Sequence, residues 1–292
     1  GWGGYVQWGA LTRSVRDAAA MLDVMAGPMP GDPYAAPALP RPLAEEVGRD
    51  PGALRIGWCD GSLLGREVHA EHRAAVRASA AQLEALGHRV EEVKPEIDRE
   101  ALTGAYFTQV AVGVAGEIDD FARLIGKTPR AADFEPSTWL MNQLGRALRG
   151  IELQHARDAA QAASRAMGTF HESHDVLLCA TVTHPQVPIG ELTLGAAERA
   201  GLSLLRALPS ERVLKAVIAR LGPEFLELTP NTQLFNQTGQ PAVSLPLHRA
   251  ADGLPIGVQL AAALGREDVL VRLAAQLEAA HPWHDHLPRI HA

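Results

Sequence analysis

The residues able to do chemistry in this chain are few and scattered. A serine hydroxyl attacks a carbonyl only when a neighbouring base takes its proton, and the lysines that could serve are Lys94, Lys127 and Lys215. Lys94 precedes Pro95 among acids at a strand end, Lys127 stands beside Gly126 at a helix end, and Lys215 lies on a charged helix face. No Ser-Ser-Gly, Gly-Gly-Ser or Gly-x-Ser-x-Gly sequence is present, and Gly61-Ser62, preceded by Asp60, reads as a turn. The groups His171-Glu172-Ser173-His174 and His281, His284, His286 invite a metal. Neither has the spacing and distant carboxylate of a zinc motif, so a solvated helix end and a solvated tail are the better readings. No catalytic group, no metal and no cofactor is predicted within the chain.

Three polar stretches could line a ligand site instead. Phe235-Asn236-Gln237-Thr238-Gly239-Gln240-Pro241 reads as a polar loop entering a buried strand, with Asn236 either facing a cleft or bonding nearby backbone amides. Thr181, Thr183 and Pro188 fall in a loop leaving a strand at 175–179, where ligands of α/β proteins gather. Tyr106 and Gln109, with the small residues from Val110 to Gly116, could shape a pocket wall, although a tightly packed helix is the preferred account of the small residues. The substrate-binding candidates are thus Tyr106, Thr181, Thr183, Pro188 and Asn236. Cys59 and Cys179 lie in apolar stretches and read as buried, reduced strand residues that thiol reagents should modify slowly.

Period and punctuation set the elements that must position these residues. Ser14 and Asp17 make a capping pattern for a helix at 14–26, with Val15, Ala18, Leu22 and Met25 on one face and Gly27-Pro28 as its stop. Seven prolines between 28 and 53 predict an extended surface connection. A strand at 54–58, a helix at 69–86 ended by Gly87 and a strand at 89–93 read as a βαβ unit. Residues 100–172 read as helical, best at 151–172, where Ile151, Ala159, Ala163, Met167 and Phe170 form a stripe. A helix at 203–221 is expected to be exposed at the tip of a helical insertion spanning 191–230. Val243, Leu245 and Leu247 alternate on one strand and Ile256, Val258 and Leu260 on another, joined through Asp252-Gly253 as a hairpin, and a helix at 266–279 closes the chain. The expected architecture is one α/β domain over 1–292, a mixed sheet flanked by helices.

Composition bounds the partners. The 292 residues are 47% hydrophobic, 21% charged and only 5% aromatic, an ordinary globular balance. With 27 basic against 34 acidic residues and a net charge of -7, nucleic acid and anionic membrane are set aside as partners. No run of about 18 uncharged apolar residues and no signal-peptide pattern is present, so a cytoplasmic location is expected. The chain opens at Gly1-Trp2-Gly3-Gly4-Tyr5, which is expected of a piece cut from something longer.

The final third is similar to the amidase-signature family. The resemblance rests on Phe235 to Ala242, then Ser244-Leu245-Pro246, then Gly253-Leu254-Pro255-Ile256-Gly257-Val258-Gln259. Leu11-Thr12-Arg13-Ser14-Val15-Arg16-Asp17 resembles an earlier landmark of the family. Asp175-Val176-Leu177-Leu178 with Thr181 and Pro188-Ile189-Gly190-Glu191 resembles a third, the family usually having proline where this chain has Ala180. The three fall in the family's order. Phe134-Glu135-Pro136, Trp139 and Gly145-Arg146 resemble a subfamily similar to 6-aminohexanoate-cyclic-dimer hydrolases.

The resemblance implies hydrolysis of C–N amide bonds in small-molecule substrates by a Ser–Ser–Lys triad, without cofactor. There a neutral lysine acts through a second serine held in a cis peptide, and backbone amides of a glycine- and serine-rich loop stabilise the oxyanion. That apparatus has no counterpart here, so the chain is expected to be the C-terminal part of such a domain and inactive alone. Its absent half would leave apolar surface exposed on the Val243 and Ile256 faces or on the helix at 14–26. Two alternatives are an A-subunit-like component of a glutamine-dependent amidotransferase and a non-catalytic fragment or ligand-binding scaffold. A homo-oligomer is open to any of them.

Overall fold

The computed structural model describes residues 2–32, 34–64, 67–191, 193, 195, 212–216, 226 and 229–287. In chain order the helices are α1 (Val15–Met25), α2 (Ala70–Ala85), α3 (Arg99–Ile125), α4 (Pro136–Ala147), α5 (Gly150–Ser173), α6 (Pro230–Thr238) and α7 (Glu267–Ala280). The strands are β1 (Arg55–Cys59), β2 (Arg89–Glu92), β3 (Val176–Ala180), β4 (Ala242–Arg249) and β5 (Pro255–Ala262). Where a single domain was expected, packing groups the chain into two units. One comprises 1–6, 97–165 and 186–228, the other 7–96, 166–185 and 229–292.

The second unit holds a mixed sheet in the order β2-β1-β3-β5-β4. β1 pairs in parallel with β2 and with β3, while β5 runs antiparallel to both β3 and β4. The α/β class and all five expected strands are therefore present. Strand alternation decides its core: Ile56, Val176, Leu178, Val258, Leu260 and Ala262 face one side, packed with α2, α7 and the Val15–Ala19 face of α1. On the opposite side Gly57 leaves room for Phe170 and His174, since a Cβ there would stand 2.8 Å from the Phe170 ring. The hairpin turn is as the sequence foretells. Gly253 adopts φ 86°, and Asp252 accepts a hydrogen bond from the Leu254 amide at 2.9 Å.

Several expectations are corrected. The Pro-rich connection is pinned to the core rather than lying wholly on the surface. Asp23 caps the amides of Leu43 and Ala44 at 2.6 and 2.8 Å, Leu43 is buried, and Glu46 is fully buried. Ile256 is core, not exposed, because β5 is covered along that face by helices. Of the two expected places for exposed apolar surface it is α1, the helix at 14–26, that shows it, at Met21, Val24 and Met25. In α5 the buried stripe is Ala156, Ala160, Ala163, Met167 and Phe170, at alternating four- and three-residue steps, whereas Ile151 is exposed. Of the expected helix at 203–221 only 212–216 lies among the described residues. There Leu214 is buried against Ala111, Leu140 and Leu144, not exposed.

The first unit is helical. Asp98 caps α3 through the Ala101 amide at 3.0 Å, and Gly126 ends it at φ 66°. α4 packs closely on α3 because Gly145 has no side chain: a Cβ there would lie 2.6 Å from the carbonyl carbon of Ala111 and 3.0 Å from Ala115 Cβ. Neighbouring Arg146 bonds Asn142 at 3.0 Å and Asp119 at 2.5 Å, holding the Asp119 carboxyl below its usual range. Gly145-Arg146 is thus a helix-packing device. Gly145→Ala should cost about 1–3 kcal/mol by overpacking against backbone that cannot move aside. Urea denaturation checks this, and an unchanged midpoint would contradict it.

Candidate functional site

In the sheet unit, polar side chains converge where β3 ends. The Thr181 hydroxyl is 2.7 Å from that of Ser244 on β4, and the Thr181 amide donates to the Gly257 carbonyl on β5 at 3.2 Å. Gly257 makes this pairing possible, because a Cβ there would stand 2.7 Å from Ser244 Oγ and 3.0 Å from Thr181 Oγ1. Ser244 is exposed and Thr181 half-buried, so the hydroxyl pair can meet a ligand. Thr183 cannot do so directly, being fully buried. Its carbonyl accepts from the His69 amide at 2.7 Å, fastening the loop to the start of α2.

Asn236 sits in α6, not in a loop. Pro230 opens the helix, Leu234 and Phe235 bury one face, and Gly239 ends it at φ 86°, so the helix continues past Asn236 and leaves it exposed. The amide that organises the site is Asn231. Its Nδ2 donates to the Ala180 carbonyl at 2.7 Å, its Oδ1 accepts from the Leu63 amide at 2.8 Å, and it is fully buried. Gln259 on β5 donates to the Asn231 carbonyl and to Cys179 Sγ, both at 3.4 Å. The one local signal for Asn231 was its place after Thr229-Pro230, at the start of a helix.

Asn231→Ala would strand the Leu63 amide and the Ala180 carbonyl in the interior, at a cost of about 1–3 kcal/mol for each group left unpaired. We expect a stability loss of about 2–4 kcal/mol by urea denaturation. Asn231→Asp keeps the acceptor but loses the donor. A loss below about 0.5 kcal/mol for the alanine variant would refute the clamp.

Tyr106 belongs to the helical unit. Its ring stacks on Tyr5 at 6.3 Å and meets Phe107 edge-on at 5.4 Å. Burial pushes the Tyr5 phenol up to about 12, with Arg157 opposing. The small residues of α3 are used for packing. A Cβ at Gly113 would stand 3.0 Å from Trp2 Cγ, and one at Gly3 would stand 2.7 Å from Gln109 Nε2. Pro188, in the same unit, is exposed and accepts from the Glu191 amide at 3.1 Å in a turn.

The titratable side chains are largely engaged in structure. Lys215 Nζ lies 2.5 Å from Glu152, and this bond, followed by the Arg149 amide, draws the Glu152 carboxyl down to about 2. An ammonium held by a carboxylate is no base. Lys94 donates to the Ser62 carbonyl at 2.6 Å. Ser79 meets His248 at 2.8 Å, and burial lowers the His248 pKa, but Ser79 is fully buried inside the core helix α2. His174 bonds Glu91 at 2.7 Å and stacks on Phe170. Among the described residues no cluster of His, Cys, Asp or Glu could hold a metal ion, and no helix is long and apolar enough to cross a membrane.

Comparison with known proteins matches this arrangement to one family. A family model described as Amidase covers residues 4–217. The chain is 37% identical over 286 residues to the 6-aminohexanoate-cyclic-dimer hydrolase of Paenarthrobacter ureafaciens, taking in 97% of this chain and 55% of that protein. It is 32% identical over 231 residues to lipoamidase of Enterococcus faecalis, covering 78% of this chain and 31% of that one. A solved 6-aminohexanoate cyclic dimer hydrolase complexed with substrate superposes with a TM-score of 0.82 at 36% identity, over 95% of this chain and 55% of the other. The chain thus spans about half the length of the hydrolase it matches.

Proposed function

Because the chain belongs to the amidase family, we propose that residues 1–292 form the C-terminal part of an amidase-signature hydrolase of small-molecule C–N amide bonds, whose Ser–Ser–Lys apparatus lies outside them. The observation that carries this reading is identity of 37% sustained through 286 residues. The engagement of Lys215 with Glu152 and of Lys94 with a backbone carbonyl supports it, since the scheme requires a neutral lysine beside a serine hydroxyl. As substrate class we propose compact aliphatic amides of the 6-aminohexanoate cyclic dimer type.

Within the sheet unit the proposed substrate contact is Thr181, steadied by Ser244 and by the Asn231 clamp, with Thr183 holding the loop from beneath. The test joins residues 1–292 to the part of the cyclic-dimer hydrolase that they do not match, and measures amine release from the cyclic dimer. Turnover is expected, and Thr181→Val should lower kcat/KM by about tenfold, the worth of one hydrogen bond. A folded chimera that hydrolyses no amide would sink the proposal.

A further inference from the structure

The two cysteines stand beside each other in the sheet. Cys59 ends β1 and Cys179 lies in β3, and the parallel register pairs them directly. Neighbouring strands run about 4.8 Å apart, inside the Cα separations of about 4.4–6.8 Å that a disulfide spans. Ile56, Val176 and Leu178 point into the core on one face. Alternation therefore sends Cys59 and Cys179 together to the other. Both are buried and neither is in a disulfide.

Their surroundings differ. Cys179 is fully buried, its Sγ accepting from Gln259 at 3.4 Å. Cys59 lies at the carboxyl end of its strand, its Sγ 3.6 Å from the Gly61 carbonyl, and it helps wall a cleft of about 470 Å³ with Trp58, Asp60, Glu92 and Lys94. Cys59 keeps 8% of its surface accessible and Cys179 none, so a small reagent meets the first thiol before the second.

We propose that Cys59 and Cys179 form a redox pair, a modification site at which a peroxide closes a disulfide across β1 and β3. Cys59, as thiolate, attacks the peroxide O–O bond and becomes a sulfenic acid, its proton and the departing oxygen leaving as one water or alcohol. The Cys179 sulfur then displaces the sulfenic hydroxyl, the S–S bond forms, and its thiol proton leaves with that hydroxyl as a second water. The two thiols lose two electrons and the peroxide gains two. Burial pushes the Cys179 thiol up to about 12, which disfavours it for the initial attack and leaves that step to Cys59. Closure turns Cys59 away from Gly61 and toward β3.

The folded 292-residue protein is treated with hydrogen peroxide, quenched with catalase, then unfolded in guanidinium with N-ethylmaleimide and digested for mass spectrometry. The expected product is one peptide pair containing Cys59 and Cys179, lighter by two hydrogens than its parts, unlabelled at both sulfurs and separated by dithiothreitol. With Cys179→Ser, Cys59 should be captured by dimedone as a sulfenic acid with no linkage. With Cys59→Ser, Cys179 should keep its thiol. Wild-type protein that takes label at both cysteines, that accumulates sulfinic acid at Cys59 without linkage, or that links Cys59 to a second chain would overturn the proposal. The wild-type digest decides the matter even if a variant fails to fold.

Discussion

Replacing Arg272 by methionine should destabilise the sheet unit by about 3–5 kcal/mol, and replacing Glu46 as well should return most of that loss. Glu46 is fully buried in the Pro-rich connection, and its carboxylate takes Arg272 Nε at 2.7 Å from α7. Arg41 lies at 3.3 Å and Arg49 at 3.9 Å, but both are substantially more exposed than Arg272. Water already claims part of their charge. Removing Arg272 therefore leaves a buried carboxylate whose remaining partners are poorly placed, the costly way to break such a pair. The double variant Glu46→Met/Arg272→Met removes both charges and puts apolar bulk in their place. Urea midpoints of wild type, the two single variants and the double variant form a cycle whose coupling should exceed about 2 kcal/mol. Additive losses would show that Glu46 is held by the connection alone.

The second large effect is on rate. Residues 1–292 by themselves should turn over amides on the order of a million-fold more slowly than the same residues joined to a Ser–Ser–Lys segment, the scale of loss when a serine hydrolase lacks its triad. The groups nearest to a substitute apparatus are already committed. Ser79 is paired with His248 but sealed in the core, and Lys215 is held as an ammonium by Glu152. The Thr181–Ser244 hydroxyl pair is accessible, and what it offers is hydrogen bonding to a ligand. Rates of amine release from the cyclic dimer, with and without the joined segment, measure this directly.

Much of the fold was legible because it is written locally. Asp252-Gly253 between two alternating runs marks the hairpin, and Gly87 marks the end of α2, each requiring a backbone state that few other residues adopt. What escaped was long-range. Glu46 reads as one more charge in a proline-rich stretch, and nothing near it in the chain announces Arg272, 226 residues away. Asn236 stands out by its polar neighbours, yet Asn231, five residues earlier, is the residue tied to Ala180 and Leu63. Helical phase separates them: five residues turn a side chain by roughly 140°. The same limit misplaced the α5 stripe by admitting Ile151, a residue of the first turn. The cysteine pairing depends on register between strands far apart in sequence, which no local pattern specifies.

The measurement that tests the central claim most directly is covalent labelling with a serine-reactive fluorophosphonate. Residues 1–292 and the chimera carrying the joined Ser–Ser–Lys segment are treated in parallel, and the labelled peptide is identified by mass spectrometry. We expect one label per chimera, on a serine of the joined segment, and none on residues 1–292 in either protein. Stoichiometric labelling of a serine within residues 1–292, with amide turnover lost when that serine is replaced by alanine, would contradict it.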